Sequence, residues 1–250
     1  MPIIIKSPAD IEKMEASGRL VARVHQKMAE TIAPGVTTSE LDALAYDTIT
    51  AAGAHPSFLG HEGYTASICA SVNDELVHGI PNDRALVDGD VVSIDVGAYL
   101  HGFHGDAAVT YTVGVASQQD IELVRVAEES FEAGLEKVKP GARLGDVSAA
   151  IQSYAEGRGY GVIREYGGHG IGRKMWEDPH IPNHGKAGQG PRLQPGMTLA
   201  IEPMISMGSP ETRVLQDDWT VVMADGQKAA HYEHTVLVTE SGARILTTTE

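Results

Sequence analysis

Gly89-Asp90-Val91-Val92-Ser93-Ile94-Asp95 reads as an apolar strand that ends on a carboxylate. Gly196-Met197-Thr198-Leu199-Ala200-Ile201-Glu202 has the same form, with Glu202 standing where Asp95 stands. A second pair lies upstream in each case. Ile32-Ala33-Pro34-Gly35, followed by Glu40-Leu41 and Gly53, is matched by Val138-Lys139-Pro140-Gly141, followed by Asp146-Val147 and Gly159. Both pairs are separated by roughly a hundred residues and occur in the same order, as a duplicated unit requires. The expected organisation is therefore one domain, residues 1–250, built from two such units that each bring acids to a shared site.

Each unit reads as two helices followed by strands. Ser7 or Asp10 can cap a helix to about Ile32, with Ile11, Met14, Leu20, Val21 and Val24 at near-helical spacing. Thr38 begins a second helix that Gly53 closes, and the second unit repeats this from Gln118 to Val138 and from Leu144 to Gly157. Strand phrases cover Ser67 to Val72, Val91 to Val96, Ala107 to Val113, Met197 to Pro203, Trp219 to Met223 and His234 to Val238. Strands grouped after helices predict an α+β fold with an antiparallel or mixed sheet, not a doubly wound one.

Within Val91-Val92-Ser93-Ile94-Asp95, alternation sends Val92 and Ile94 to one face and Ser93 and Asp95 to the other. A turn between Tyr99 and Gly105 would bring Asp106 back alongside Asp95. Three further phrases carry polar groups: Gly168-His169-Gly170-Ile171-Gly172, Ala200-Ile201-Glu202-Pro203 and Tyr232-Glu233-His234. Taken singly, each has an ordinary reading as a surface charge, a strand edge or a glycine loop. Together, Asp95, Asp106, Glu202 and Glu233 in apolar strands would repel one another and resist ionising unless cations held them. Oxygen-rich ligation with one imidazole, His169, suits hard or borderline divalent ions, and a pair of them sharing carboxylates makes a hydrolytic centre. The glycines around His169 have neither the spacing nor the following Lys-Ser/Thr of a phosphate cradle.

Composition narrows the class. A net charge of -15 argues against a surface for nucleic acid, and 42% hydrophobic residues are ample for a core. One cysteine, Cys69, excludes an internal disulfide and fits a reducing cytoplasm. The run Ile3-Ile4-Ile5 is too short for a signal peptide, and nothing is long enough to span a bilayer.

Five phrases in order, Val77-His78-Gly79-Ile80-Pro81, Asp95 with Asp106 eleven residues on, Gly168 to Gly172, Ala200-Ile201-Glu202-Pro203-Met204 and Tyr232-Glu233-His234-Thr235, make the chain resemble the methionine aminopeptidases over nearly its whole length. The resemblance implies a pita-bread fold, a pseudo-symmetric curved antiparallel sheet flanked by helices. It is closest in form to the short bacterial first type, without an extra N-terminal domain, a long insertion or a zinc-binding extension. It also implies that Asp95 chelates one ion, that Asp106 and Glu233 bridge two, and that His169 and Glu202 complete the ligand set of the second ion. The two divalent ions are drawn from Co, Mn, Fe, Zn and Ni. Glu202 is then similar to the general base, and His78 to the histidine beside the scissile amide. By motif position Phe58, His61, Tyr64, Cys69, Met175 and Trp219 would form the methionine pocket. The implied substrates are peptides and nascent chains with N-terminal methionine and a small second residue, met as a monomer in the cytoplasm, with the ribosome as an associated partner and with no nucleic acid or membrane. One position departs from the pattern: seven residues after His169 the family has a second histidine, and here Trp176 stands there. Indole donates one hydrogen bond and cannot accept one or carry a proton. The departure leaves open an inactive or altered-specificity relative that only binds peptides, or replacement of the lost imidazole by His180.

Overall fold

Helix starts follow from side chains that satisfy exposed amides. The computed structural model describes residues 2–249, so Met1 and Glu250, the ends of the expected domain, lie outside the described residues. Ser7 is the cap of α1 (Pro8–Thr31): its hydroxyl accepts the Asp10 amide while the Asp10 carboxylate accepts the Ser7 amide. Thr37 with Glu40 opens α2 (Thr38–Ala51), and Ser117 with Asp120 opens α3 (Gln118–Leu135), by the same exchange. At α4 (Leu144–Glu156) only the Arg143 amide is served, by Asp146. α3 stops short of the expected Val138, because Lys137 and Val138 bond to carbonyls only three residues back as the chain tightens toward Pro140-Gly141.

The strand pairings named below are all antiparallel, as expected. The strand Val91–Leu100 lies between Ile68–Val72 and Phe103–Thr112 in one four-stranded sheet, with His55–Pro56 also paired to it. The turn joining Val91–Leu100 to Phe103–Thr112 is tighter than expected. Only His101 and Gly102 lie outside the strands, both with positive φ (55° and 86°), the geometry of a two-residue hairpin that matches strand twist. A five-stranded sheet runs in the order Ala243–Ile245, His234–Val238, Thr198–Ile201, Gly167–Gly170, Glu177–Pro182. Two three-stranded sheets complete the structure, one of them Ala229–His231, Met204–Ser206 and Gly161–Val162. No helix among the described residues is long and apolar enough to cross a membrane.

Alternation fixes what each sheet shows the site. Val92, Ile94 and Val96 pack against Leu20, Val21, Val24, Leu41 and Ile49 of α1 and α2, which leaves Asp95 on the opposite face. Leu199 and Ile201 likewise pack with Phe131, Val147 and Ile151 of α3 and α4, which leaves Ala200, and Glu202 beyond it, on theirs. The two acid-bearing faces are stitched together through Phe103–Thr112. Ala108 and Glu233 exchange both backbone hydrogen bonds (3.3 and 2.8 Å), and the Thr235 hydroxyl accepts from the Asp106 amide and donates to its carbonyl.

One buried ion pair ties the N-terminal segment to the loop beside the site. Lys6 Nζ lies 2.7 Å from Glu177 Oε2 with both side chains buried, and the other Glu177 oxygen accepts the Lys174 amide. Removing one partner leaves the other charge buried and alone, which costs roughly 3–5 kcal/mol. Lys6→Met should therefore lower the unfolding free energy by about that amount in denaturant titration, and Lys6→Met/Glu177→Gln should recover much of it. An equal loss in the double variant would show that packing, not the unpaired charge, is responsible.

Candidate metal centre

Asp95 lies opposite Cys69 on one neighbouring strand and Ala108 on the other. Asp106 faces Gly97, so the two aspartates sit diagonally on one face of the hairpin. Across from them the second sheet supplies His169, from Gly167–Gly170, and Glu202 and Glu233, which follow and precede the paired strands Thr198–Ile201 and His234–Val238. The glycines beside His169 have a steric cause: a Cβ on Gly168 would lie 2.1 Å from the Ala200 carbonyl oxygen, and one on Gly170 2.2 Å from that of Asp178. Close strand packing thus holds the histidine at a fixed depth. Its Nδ1–H donates to the Gly170 carbonyl at 2.9 Å, which leaves the Nε2 lone pair for the cavity, the usual orientation of a metal-binding imidazole. That nitrogen is 3.8 Å from Asp106 Oδ2 and 3.7 Å from Glu202 Oε1.

The acids are deeply placed. Glu233, which the sequence allowed as an exposed strand edge, is 1% exposed. Oδ1 of Asp95, Oδ1 of Asp106 and Oε1 of Glu233 are buried with no hydrogen-bond partner. Burial pushes Asp95 up to about 7, with Glu202 adding to the effect. Burial, then the neighbouring acids, pushes Asp106 and Glu233 well above the usual carboxylate range. Glu202 goes the other way: burial opposes its ionisation, but His231, His169 and His78 outweigh it and hold the carboxyl below its ordinary value. Donor atoms of Asp106, His169 and Glu233 lie within 4.8 Å of one another, and so do those of Glu202, His231 and Glu233. Buried carboxylate oxygens without partners, beside an imidazole with a free lone pair, fit divalent cations.

The other expected site residues gather around this floor. Phe58, His61, Tyr64, Cys69, His78, Trp176 and Trp219 line one cavity with all five acid and histidine donors, and Met175 packs in the apolar cluster behind it with Phe58, Tyr64, Cys69 and Trp219. Burial, then Asp95, raises the Cys69 thiol, so it forms part of the wall as a neutral group. His78 has φ +60°, a conformation costly for a residue with a Cβ and common where a side chain is held for function. Tyr64 supports that turn by donating to the carbonyls of Ile68 and Gly79. Burial lowers the His78 pKa, which favours the neutral imidazole. Trp176 is 43% exposed and lies over His61 with ring centroids 4.2 Å apart, so the indole forms a rim. His180 pairs in register with His169 but is exposed, on the wall of an outer cavity that also includes Tyr166, His78 and His231. Tyr166 and His231 were not singled out from the sequence. His231 stands two residues before Glu233, and that spacing near a strand was the available signal.

The electrostatics predict how metal affects stability. Between the ordinary carboxylate value of about 4 and the raised values, the folded metal-free chain holds protons that the unfolded chain has released, so its stability falls as pH rises through that window. Bound cations remove this penalty. His25, His104 and His234, each pushed down to about 4 by burial, belong to both states and cancel in the difference. The rise in melting temperature on adding Co²⁺ or Mn²⁺ should therefore grow from pH 5 to pH 7. A pH-independent increment would contradict it.

Comparison with known proteins agrees with this geometry. Residues 12–240 match the profile of metallopeptidase family M24. Methionine aminopeptidase 1 of Bacillus subtilis is 52% identical over 245 residues, which cover 98% of this chain and 99% of that protein. The crystal structure of methionine aminopeptidase from Thermotoga maritima superposes with a TM-score of 0.97 at 48% identity, covering 99% of this chain and all of that one (100%). Prolidase from Pyrococcus furiosus gives 0.81 at 26% identity, with 99% of this chain matching 66% of the prolidase. The architecture is thus the pita-bread fold shared by these enzymes, and the chain belongs to metallopeptidase family M24, among its methionine aminopeptidases.

Proposed function

We propose that the chain removes N-terminal methionine from peptides and nascent proteins whose second residue is small, using two divalent ions. The observation that carries this reading is the convergence of four carboxylates, three with a buried and unpartnered oxygen, on the floor of an apolar cavity. In the proposed assignment Asp95 would hold one ion, His169 and Glu202 would hold the other, and Asp106 and Glu233 would serve both. Ions bound there would supply a Lewis acid and lower the pKa of water, and cobalt, manganese, iron, zinc or nickel all suit such donors.

The chain's own groups divide the remaining work. Glu202, the one acid of the four held below its ordinary value, would be the carboxylate equipped to accept a proton from the attacking water. His78, neutral and fixed by its turn, is placed to hydrogen-bond the scissile amide. Phe58, Tyr64, Cys69, Met175 and Trp219 offer an apolar, polarizable surroundings for a thioether. Trp176 and His61 narrow the rim and supply an N–H donor where the related enzymes have an imidazole. The catalytic unit is read as residues 1–250, one domain from two copies, acting as a monomer in a reducing cytoplasm on chains leaving the ribosome. A peptide-binding relative without activity is not favoured, because mere binding gives no reason to bury carboxylates whose oxygens have no partner.

Two comparisons test this. Met-Ala and Met-Gly peptides should be cut far faster than Met-Glu, Leu-Ala or Ala-Pro peptides in a metal-titrated assay. Equal rates for small and large second residues would remove the assignment. His78→Ala should slow turnover by about 10²–10⁴-fold with both ions retained, while Asp106→Ala should lose metal. Loss of metal from His78→Ala would show that the roles are wrongly assigned.

A further inference from the structure

His231 has so far been assigned only an electrostatic effect on Glu202, yet it is built into the same floor. It ends the strand Ala229–His231, and its backbone is clamped in both directions by Thr110. The Thr110 hydroxyl accepts the His231 amide at 3.0 Å and donates to the His231 carbonyl at 2.7 Å. Thr110 is joined in turn to Ser93 at 2.8 Å, on the strand that carries Asp95. The ring is 2% exposed and its Nε2 has no hydrogen-bond partner. That nitrogen lies 3.4 Å from Glu202 Oε2 and 3.9 Å from Glu233 Oε2. Glu202 is therefore flanked by two imidazoles, with His169 3.7 Å from its other oxygen.

We propose that His231 is a metal ligand, binding a divalent ion through Nε2 together with Glu202 and Glu233, so that the centre carries two imidazoles. The inference rests on the two-ion reading above. Donors bonded to one ion at about 2.0–2.2 Å stand about 3.0–3.5 Å apart. His231 Nε2 lies 3.4 and 3.9 Å from the two carboxylates, and the donor atoms of all three residues lie within 4.8 Å of one another. A buried nitrogen aimed at two carboxylates and bonded to neither is costly in a structural role, and coordination removes the cost. The consequence is selectivity. A second imidazole favours ions that take nitrogen readily, such as cobalt, nickel and zinc, over manganese, which prefers oxygen.

The test compares metal binding, not turnover. Metal-free wild type, His231→Gln and Asp106→Asn are titrated with Co²⁺ and with Mn²⁺ by calorimetry, with bound metal counted and the visible Co²⁺ spectrum recorded. His231→Gln should weaken Co²⁺ at one site by at least about 10-fold, change Mn²⁺ much less, and alter the Co²⁺ spectrum. Unchanged Co²⁺ affinity and spectrum in His231→Gln, alongside metal loss in Asp106→Asn, would overturn the His231 assignment alone. Fewer than two ions bound by the saturated wild type would overturn the two-ion reading itself, and two tightly held ions in Asp106→Asn would remove Asp106 from it. A measurement on the wild type avoids any dependence on the variant's folding: the Co²⁺-loaded protein should show two paramagnetically shifted imidazole N–H resonances, from His169 and His231. A single one would overturn the proposal.

Discussion

Four carboxylates gathered at and beside apolar strands, Asp106 and Glu233 fully buried and Asp95 and Glu202 partly so, are the constraint on which the rest of the structure depends. Asp95, Asp106 and Glu233 each leave a buried oxygen without a partner, and burial together with mutual repulsion raises all three above the ordinary carboxylate range. Left to themselves they favour the protonated form. Glu202 alone of the four is lowered, because histidines surround it. One carboxylate is thus favoured in its ionised form beside three that favour the proton, within one small volume.

The fold delivers those groups by repeating one device. In both halves a pair of helices covers one face of a strand whose alternate residues are large and aliphatic, and the acid comes out on the other face. Val92, Ile94 and Val96 do this for Asp95, and Leu199 and Ile201 do it for Glu202. Neither half completes the centre. The hydrogen bonds from Ala108 to Glu233 and from Asp106 to Thr235 join the halves directly beside the acids.

What could be read from the sequence follows the same logic. Short-range rules gave four helices, the cap of the first at Ser7, the sheet class and the face on which Asp95 lies, since capping and alternation depend on neighbours within a few residues. The repeat and the five phrases pointed to the four acids and the histidine that the fold brings to one cavity. Other features depend on partners far along the chain. Glu233 could be an exposed edge until the strand Phe103–Thr112 is seen to cover it, and the glycines around His169 become necessary only beside the carbonyls of Ala200 and Asp178. His231 escaped notice because its chemistry arises from Glu202, on a different strand. The tight turn at His101-Gly102 was blurred by polar and glycine residues on both sides that suit a longer loop equally well.

The most direct test of the central claim is anomalous diffraction from crystals of the Co²⁺- or Mn²⁺-loaded protein, collected at the metal edge. Two peaks within bonding distance of the buried oxygens, with Asp106 and Glu233 lying between them, are the predicted result. Peaks found only at surface carboxylates, with the oxygens of Asp95, Asp106 and Glu233 still unligated, would contradict the account.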